Sequence, residues 1–222
     1  MGQKASPYAL RLGLNQPWQS NYFPPKKEQA NWLQQDGLIR DYLYSRFPEI
    51  TEIEIERTEG QLFVFIHSPN TSLITGESND NLDKILAKIS RIVPDKKIVT
   101  KLELIEERNI YTSPRAIANY LARQLENRVA WPLLLRNLLK NVAKEKEVKG
   151  IKIKAKGRLG GVALAQHKLI IRGRMPSSTL ISSIKEGTTE ANTAYGKIGI
   201  TVEIYKGKKK KLKYVNTNTK KN

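Results

Sequence analysis

Lys152, Lys154 and Lys156 alternate with Ile151, Ile153 and Ala155 in the segment 149–161, KGIKIKAKGRLGG. In a strand, successive side chains point to opposite faces. This spacing therefore puts three apolar residues on one side and three ammonium groups on the other, roughly 6.6 Å apart at about 3.3 Å rise per residue. That interval is close to the spacing of phosphates along a polynucleotide backbone. The chemistry on offer is phosphate neutralisation, not bond-making. Gly157, Arg158, Leu159, Gly160 and Gly161 follow directly, and glycines let a backbone turn and approach a ligand closely. A second basic cluster, Arg172-Gly173-Arg174, lies downstream, and arginine forks suit two-pronged contacts to phosphate. Turn charges are commonly just solvated. Six cations gathered in one small domain favour a polyanionic ligand.

Composition points the same way. The chain has 222 residues, 39% of them hydrophobic, and a formal net charge of +18, with a sequence pI near 10.0. It can bury real cores, so global disorder is not expected. Such a charge balance favours nucleic acid or an anionic membrane surface as partner. There is no cysteine, which excludes disulfides, thiolate nucleophiles and cysteine-based metal centres. No run has the length of a membrane span, and no secretory or transit signal opens the chain.

Catalysis finds little support. The only histidines are His67 and His167, without metal-type spacing, and neither a phosphate-binding loop nor a nucleophile elbow is present. Glu52, Glu54 and Glu56 alternate on one strand face, and a solvated face is a better reading of them than a divalent-ion site. The chain is expected not to be an enzyme, and to use no cofactor or metal.

The elements that must position the cations can be read coarsely. Residues 1–30, with four prolines and with Lys4, Arg11, Lys26 and Lys27 among aromatic residues, read as an extended basic arm. Basic and aromatic residues together suit RNA, where rings stack on bases. Residues 31–47 read as a helix with a stripe of Leu33, Leu38, Tyr42 and Phe47. Strands are expected at 50–57, 62–67 and 97–106, a loop at 68–75, and a helix from Asn79 or Asp80 to Val93. Ser113-Pro114 and Trp131-Pro132 open two further helices. Strands at 149–156, 168–172, 179–185 and 198–205 then form a mixed four-stranded sheet with both helices on one face. The fold class is α+β. The last residues, 206–222, hold eight lysines and no acid and read as a disordered nucleic-acid-binding tail.

Several blocks in order resemble one family. Met1-Gly2-Gln3-Lys4 with Arg11-Leu12-Gly13 comes first, then Gln124-Leu125-Glu126-Asn127-Arg128-Val129, Lys149-Gly150-Ile151 and Gly157-Arg158-Leu159-Gly160-Gly161. Gly173-Arg174-Met175-Pro176, Thr193-Ala194-Tyr195-Gly196 and Ile204-Tyr205-Lys206-Gly207 complete the series. Together they resemble small-subunit ribosomal protein three, of bacterial or organellar type, over residues 1 to about 207.

The resemblance implies an N-terminal type II KH domain, here 31–108, and a C-terminal α+β domain, 109–207, between the arm at 1–30 and the tail at 208–222. It implies rRNA binding in the head of the small subunit, beside proteins ten and fourteen, where messenger RNA enters. The ribosome would be that of a bacterial cytoplasm or an organelle, with no membrane partner. The RNA-binding set is Lys4, Arg11, Lys152, Lys154, Lys156, Arg158, Gly160, Gly161, Arg172 and Arg174. Arg128, Arg136 and Lys140 would face messenger. Two departures stand out. The stretch matching the phosphate-gripping GXXG loop is Gly76-Glu77-Ser78-Asn79, a degenerate version with an acid and no second glycine. The helix after Trp131 carries Pro132-Leu133-Leu134-Leu135 where relatives place paired arginines. Two other readings stay open at this level: a free KH-type regulator of single-stranded RNA, and a basic membrane-surface protein anchored through Met1-Gly2 and the lysine tail.

Overall fold

The computed structural model describes residues 5–58, 60–76, 80–93, 98–107 and 109–208. Lys4, the GXXG-like residues Glu77, Ser78 and Asn79, and the lysines beyond Lys208 lie outside them. The chain is α+β, with two four-stranded sheets.

The first sheet grows from alternation. Ile53 and Ile55 in β2 (Glu52–Thr58) and Leu62, Val64 and Ile66 in β3 (Gln61–Ser68) all point to one face and are fully buried. The sheet order is β1-β2-β3-β4, with β1 at Ser20–Asn21 and β4 at Val99–Glu106. β2 and β3 are antiparallel, whereas β1 and β4 run parallel to their neighbours. Helices α1 (Gln29–Arg46) and α3 (Asp80–Ile92) supply Ile39, Leu43, Ile85 and Ile89 to the same core. Burying each such side chain contributes roughly 1.5–3 kcal/mol.

Two local expectations are corrected here. Leu33 and Leu38 are exposed, and the buried face of α1 is Asp36, Ile39 and Leu43. The misleading member is Asp36. Its carboxylate is buried because Arg57 of β2 donates to it, while Ser20 donates to its other oxygen at 3.1 Å. A buried charge is tolerated when paired and hydrogen-bonded. The second correction is a single helical turn, α2 (Ser72–Thr75), in the expected loop, which contributes buried Ile74.

The second sheet has the order β6-β5-β8-β7, from β5 (Gly150–Gly157), β6 (Gln166–Gly173), β7 (Ser182–Thr193) and β8 (Gly196–Lys208). Every neighbouring pair is antiparallel, so the sheet is not mixed. Helices α4 (Pro114–Glu126) and α5 (Trp131–Val142) close its core with Ile117, Leu121, Leu134 and Leu138 over Ile153, Ala155, Ile200 and Val202. β7 is longer and later than the strand expected at 179–185. Beyond Lys185 it buries only the small residues Gly187 and Ala191, and α4 passes close: a Cβ on Gly187 would lie 2.4 Å from the Arg115 backbone nitrogen. Apolar alternation is therefore weak in that part.

The amino-terminal arm is not free extended chain. It makes a 3-10 turn at Ala9–Arg11 and docks on the second domain. The Arg11 guanidinium donates to the carbonyls of Pro7, Ser177, Thr179 and Ser182 at 2.7–3.0 Å. Asn15 and Gln16 add bonds to Leu180, Ser182 and Ile184 carbonyls. The arm then crosses to the first domain, where Arg40 holds the Gln19 carbonyl at 2.9 Å and β1 joins the sheet. Direct links between the domains include Lys185–Glu52 at 2.8 Å, Arg123–Glu49 at 2.7 Å, the Asn119 side-chain amide donating to the Pro48 carbonyl, and Arg115 stacked 3.8 Å from the Tyr44 ring centroid.

Candidate nucleic-acid interface

The lysine row of β5 is real in register but is not a uniform row of free cations. β8 lies antiparallel beside β5 and places Glu203 opposite Lys152. Lys152 Nζ donates to both Glu203 oxygens at 2.7 and 2.8 Å, and Lys154 Nζ donates to one at 2.8 Å. Burial pushes the Glu203 carboxyl up, but its bonds to Lys152 and Lys154 outweigh this and hold it below the usual carboxylate range. Burial likewise lowers Lys154, and its bond to Glu203 reverses that and raises it. Lys152 is buried and Lys154 half-buried. Both are therefore corrected from phosphate contacts to members of a structural ion cluster, and of the three β5 lysines Lys156 is the exposed one. Arg11 is corrected in the same way, because its guanidinium is buried and occupied by four carbonyls.

Strand pairing also divides the remaining cations. Lys156 pairs with His167, Lys154 with Leu169 and Lys152 with Ile171, which sets these side chains on the outer face. Lys168 and Arg172 pair with Ala155 and Ile151 and so lie on the helix-bearing side of the edge strand β6. Both are exposed there. Arg174 is exposed just beyond the strand. At this end the chain crosses itself closely: a Cβ on Gly150 would lie 1.9 Å from the Arg174 carbonyl oxygen.

Arg128 comes to Arg158 from a different element. It follows α4 in the left-handed region, at φ 60°. The Arg128 N–H bonds to the Leu125 carbonyl and the Val129 N–H to the Gln124 carbonyl, each at 3.0 Å. These two bonds make a Schellman cap in which arginine occupies the position that glycine usually takes. Arg158, Gly160, Gly161, Lys168 and Tyr195 line the same concavity as Arg128. The Arg158 Nε donates to the Val162 carbonyl at 2.7 Å, and its guanidinium sits 5.5 Å from the Tyr195 ring centroid. Gly161, at φ 78°, lets the loop pass against that ring, where a Cβ would lie 2.9 Å away. Arg136 and Lys140 are set one helical turn apart on α5, outside this concavity, while Leu134 and Leu135 are core residues.

Sequence reasoning missed Lys168 and Tyr195. The alternation of Lys168 and Arg172 with Leu169 and Ile171 was available as a signal, but only pairing to β5 shows which side each set occupies. Gly76 ends α2 in a left-handed conformation, exposed, at φ 73°.

Residues 121–204 match the family model described as Ribosomal protein S3, C-terminal domain. Curated relatives match over nearly the whole length. Small ribosomal subunit protein uS3 of Spiroplasma citri is 34% identical, covering 100% of this chain and 88% of that protein. The chain belongs to the uS3 family. The uS3 protein of Campylobacter concisus is 35% identical over 93% of this chain and 88% of its own. That of an Exiguobacterium strain is 31% identical over 93% and 94%. The segment matched to the uS3 C-terminal model holds Arg128, Arg136, Lys140, Lys156, Arg158, Lys168, Arg172, Arg174 and Tyr195.

Proposed function

We propose that this uS3-family chain is a structural, non-enzymatic component of the small ribosomal subunit that binds the subunit's rRNA and works on the ribosome in the cytoplasm. The observation that carries the reading is full-length similarity to proteins named small ribosomal subunit protein uS3, joined to a C-terminal domain that presents Lys156, Arg158, Lys168, Arg172 and Arg174 at its surface.

The domain division follows the two cores. Residues 31–108 are a type II KH domain and 109–207 the C-terminal domain, with the arm stapling them together. The KH domain serves mainly as packing, since Glu77 and Asn79 in its loop oppose phosphate approach. Phosphate binding then falls to the C-terminal domain, through Lys156, Arg158, Arg172 and Arg174 with the backbone of Gly160 and Gly161. Arg136 and Lys140 on α5 face messenger RNA where it enters, whereas Arg128, expected to join them, turns into the concavity with Arg158 and Lys168 and serves rRNA; proteins ten and fourteen of the subunit head lie nearby. Lys4 and the lysine tail add further RNA contacts.

The test is sedimentation. Tagged chain expressed in a bacterium should travel with small subunits in a sucrose gradient and stay there after a moderate salt wash. Recovery only in the soluble top fractions would overturn the reading in favour of a free RNA-binding regulator.

A further inference from the structure

A cavity of about 630 Å³ opens where the end of α4, the start of α5, the 158–162 loop and the β7–β8 turn meet. Its size falls within the range of small-ligand sites. Four features give it a chemical character. Three cations, Arg128, Arg158 and Lys168, line it, against one carboxylate, Glu126. Glu126 is engaged, accepting the Asn192 backbone N–H at 2.8 Å. The amino end of α5 also lines it, through Ala130, Trp131 and Pro132, and carries neither a side-chain cap nor an acid in its first turn. Pro132 has no N–H, and the Leu133 and Leu134 N–H groups bond to the Ala130 carbonyl, so this helix start offers an anion the Trp131 N–H with the dipole behind it. Trp131 is 6% exposed, and its Nε1–H has no acceptor. A buried donor without a partner is costly, and it marks a place where a ligand or a small rearrangement supplies one. Finally, Tyr195 stands at the rim, 57% exposed, with the Arg158 guanidinium over its ring.

Arg128 gives independent support. A non-glycine residue in the left-handed region is strained, and glycine would cap α4 without that strain. Strain of this kind persists where the side chain has a use.

We infer that this cavity seats a single unstacked RNA nucleotide, its phosphate taken by Arg128, Lys168 and the uncapped start of α5, and its base stacked on Tyr195 beside Arg158. Aromatic and guanidinium planes are the usual platforms for splayed RNA bases, and a lone inorganic anion would leave the tyrosine without a role. The inference rests on the rRNA-binding reading above and narrows it to one nucleotide-sized site.

The experiment uses the full chain. Small subunits containing it are irradiated with ultraviolet light, and the peptide bearing Tyr195 is analysed. In parallel, rRNA affinity is measured for wild type, Tyr195→Ala and Tyr195→Phe. The expected result is a single-nucleotide adduct on the Tyr195 peptide, with affinity about tenfold weaker for Tyr195→Ala and near wild type for Tyr195→Phe, since stacking on one base is worth roughly 1–3 kcal/mol. If Tyr195→Ala binds as tightly as wild type, or Tyr195 crosslinks to a protein neighbour instead, the nucleotide site is overturned while rRNA binding by the chain still stands. If wild-type chain does not bind rRNA at all, both readings fall.

Discussion

Glu203 decides what the β5 lysines do. Alternation alone offered three equivalent cations, and cross-strand pairing takes two of them into one ion cluster. Removing one partner of a buried charge pair leaves the other uncompensated, at about 3–5 kcal/mol. Glu203→Gln should therefore cost about 3 kcal/mol in urea unfolding, at the low end of that range because Lys154 is only half-buried. The pH dependence has a definite sign. The folded carboxyl sits below its ordinary value of 4.5, so the unfolded chain binds the proton more readily. This contribution is present above about pH 4.5 and is lost as pH falls through the depressed folded value. Glu52 behaves likewise: burial raises its carboxyl, and Lys185 and Gln19 together hold it lower. Urea midpoints between about pH 7 and pH 3 should fall more steeply for wild type than for Glu203→Gln. Arg128 makes the opposite case. Arg128→Gly should raise stability by about 1 kcal/mol by relieving the left-handed strain, while weakening rRNA binding. A stability loss on that change would show that the arginine is needed for the cap itself.

At the scale of elements, the cations are presented by β6, by the end of β5 with its following loop, and by the residue after α4, because β5 is internal and its Lys152 and Lys154 are shared with Glu203 of β8. The close crossing of β5 and β6 depends on a missing side chain. Gly150→Ala, with its Cβ driven into the Arg174 carbonyl, should cost about 2 kcal/mol or more and displace Arg174, visible as a lower melting temperature together with weaker rRNA binding. Much of this architecture was legible in the sequence. The Ser113-Pro114 and Trp131-Pro132 starts fall at the amino ends of α4 and α5, and the isoleucines of β2 and β5 face their cores. What was not legible depends on partners far away in the chain. Asp36 reads as a surface residue until Arg57 is beside it. The part of β7 beyond Lys185 falls outside the strand expected at 179–185 until the approach of α4 to Gly187 explains its small residues. The two sides of β6 cannot be separated until it is paired with β5.

For the whole molecule, the amino-terminal segment departs furthest from its expected role. A basic, proline-punctuated arm reads as an extended RNA-contacting segment, yet Arg11 secures it to the second domain and Arg40 to the first. The two domains are thereby tied through one shared strap as well as through Lys185–Glu52 and Arg123–Glu49. Arg11→Ala would leave four carbonyls without their charged donor, and hydrogen bonds to charged groups contribute about 1.5–3 kcal/mol each before losses overlap. The variant should become sensitive to proteolysis within residues 5–28 and become less stable by about 3 kcal/mol or more; an unchanged digestion pattern would mean that the arm is held by other interactions. With Arg11 occupied in this way, the proposed phosphate-binding surface rests on the exposed cations of the C-terminal domain. The salt dependence of rRNA binding tests that claim most directly, because removing one phosphate-binding cation lowers the slope of log affinity against log salt by about one. Changing Lys156, Arg172 and Arg174 together to alanine should reduce the magnitude of that slope by about two to three relative to wild type. A triple variant whose affinity and slope match wild type would contradict the account.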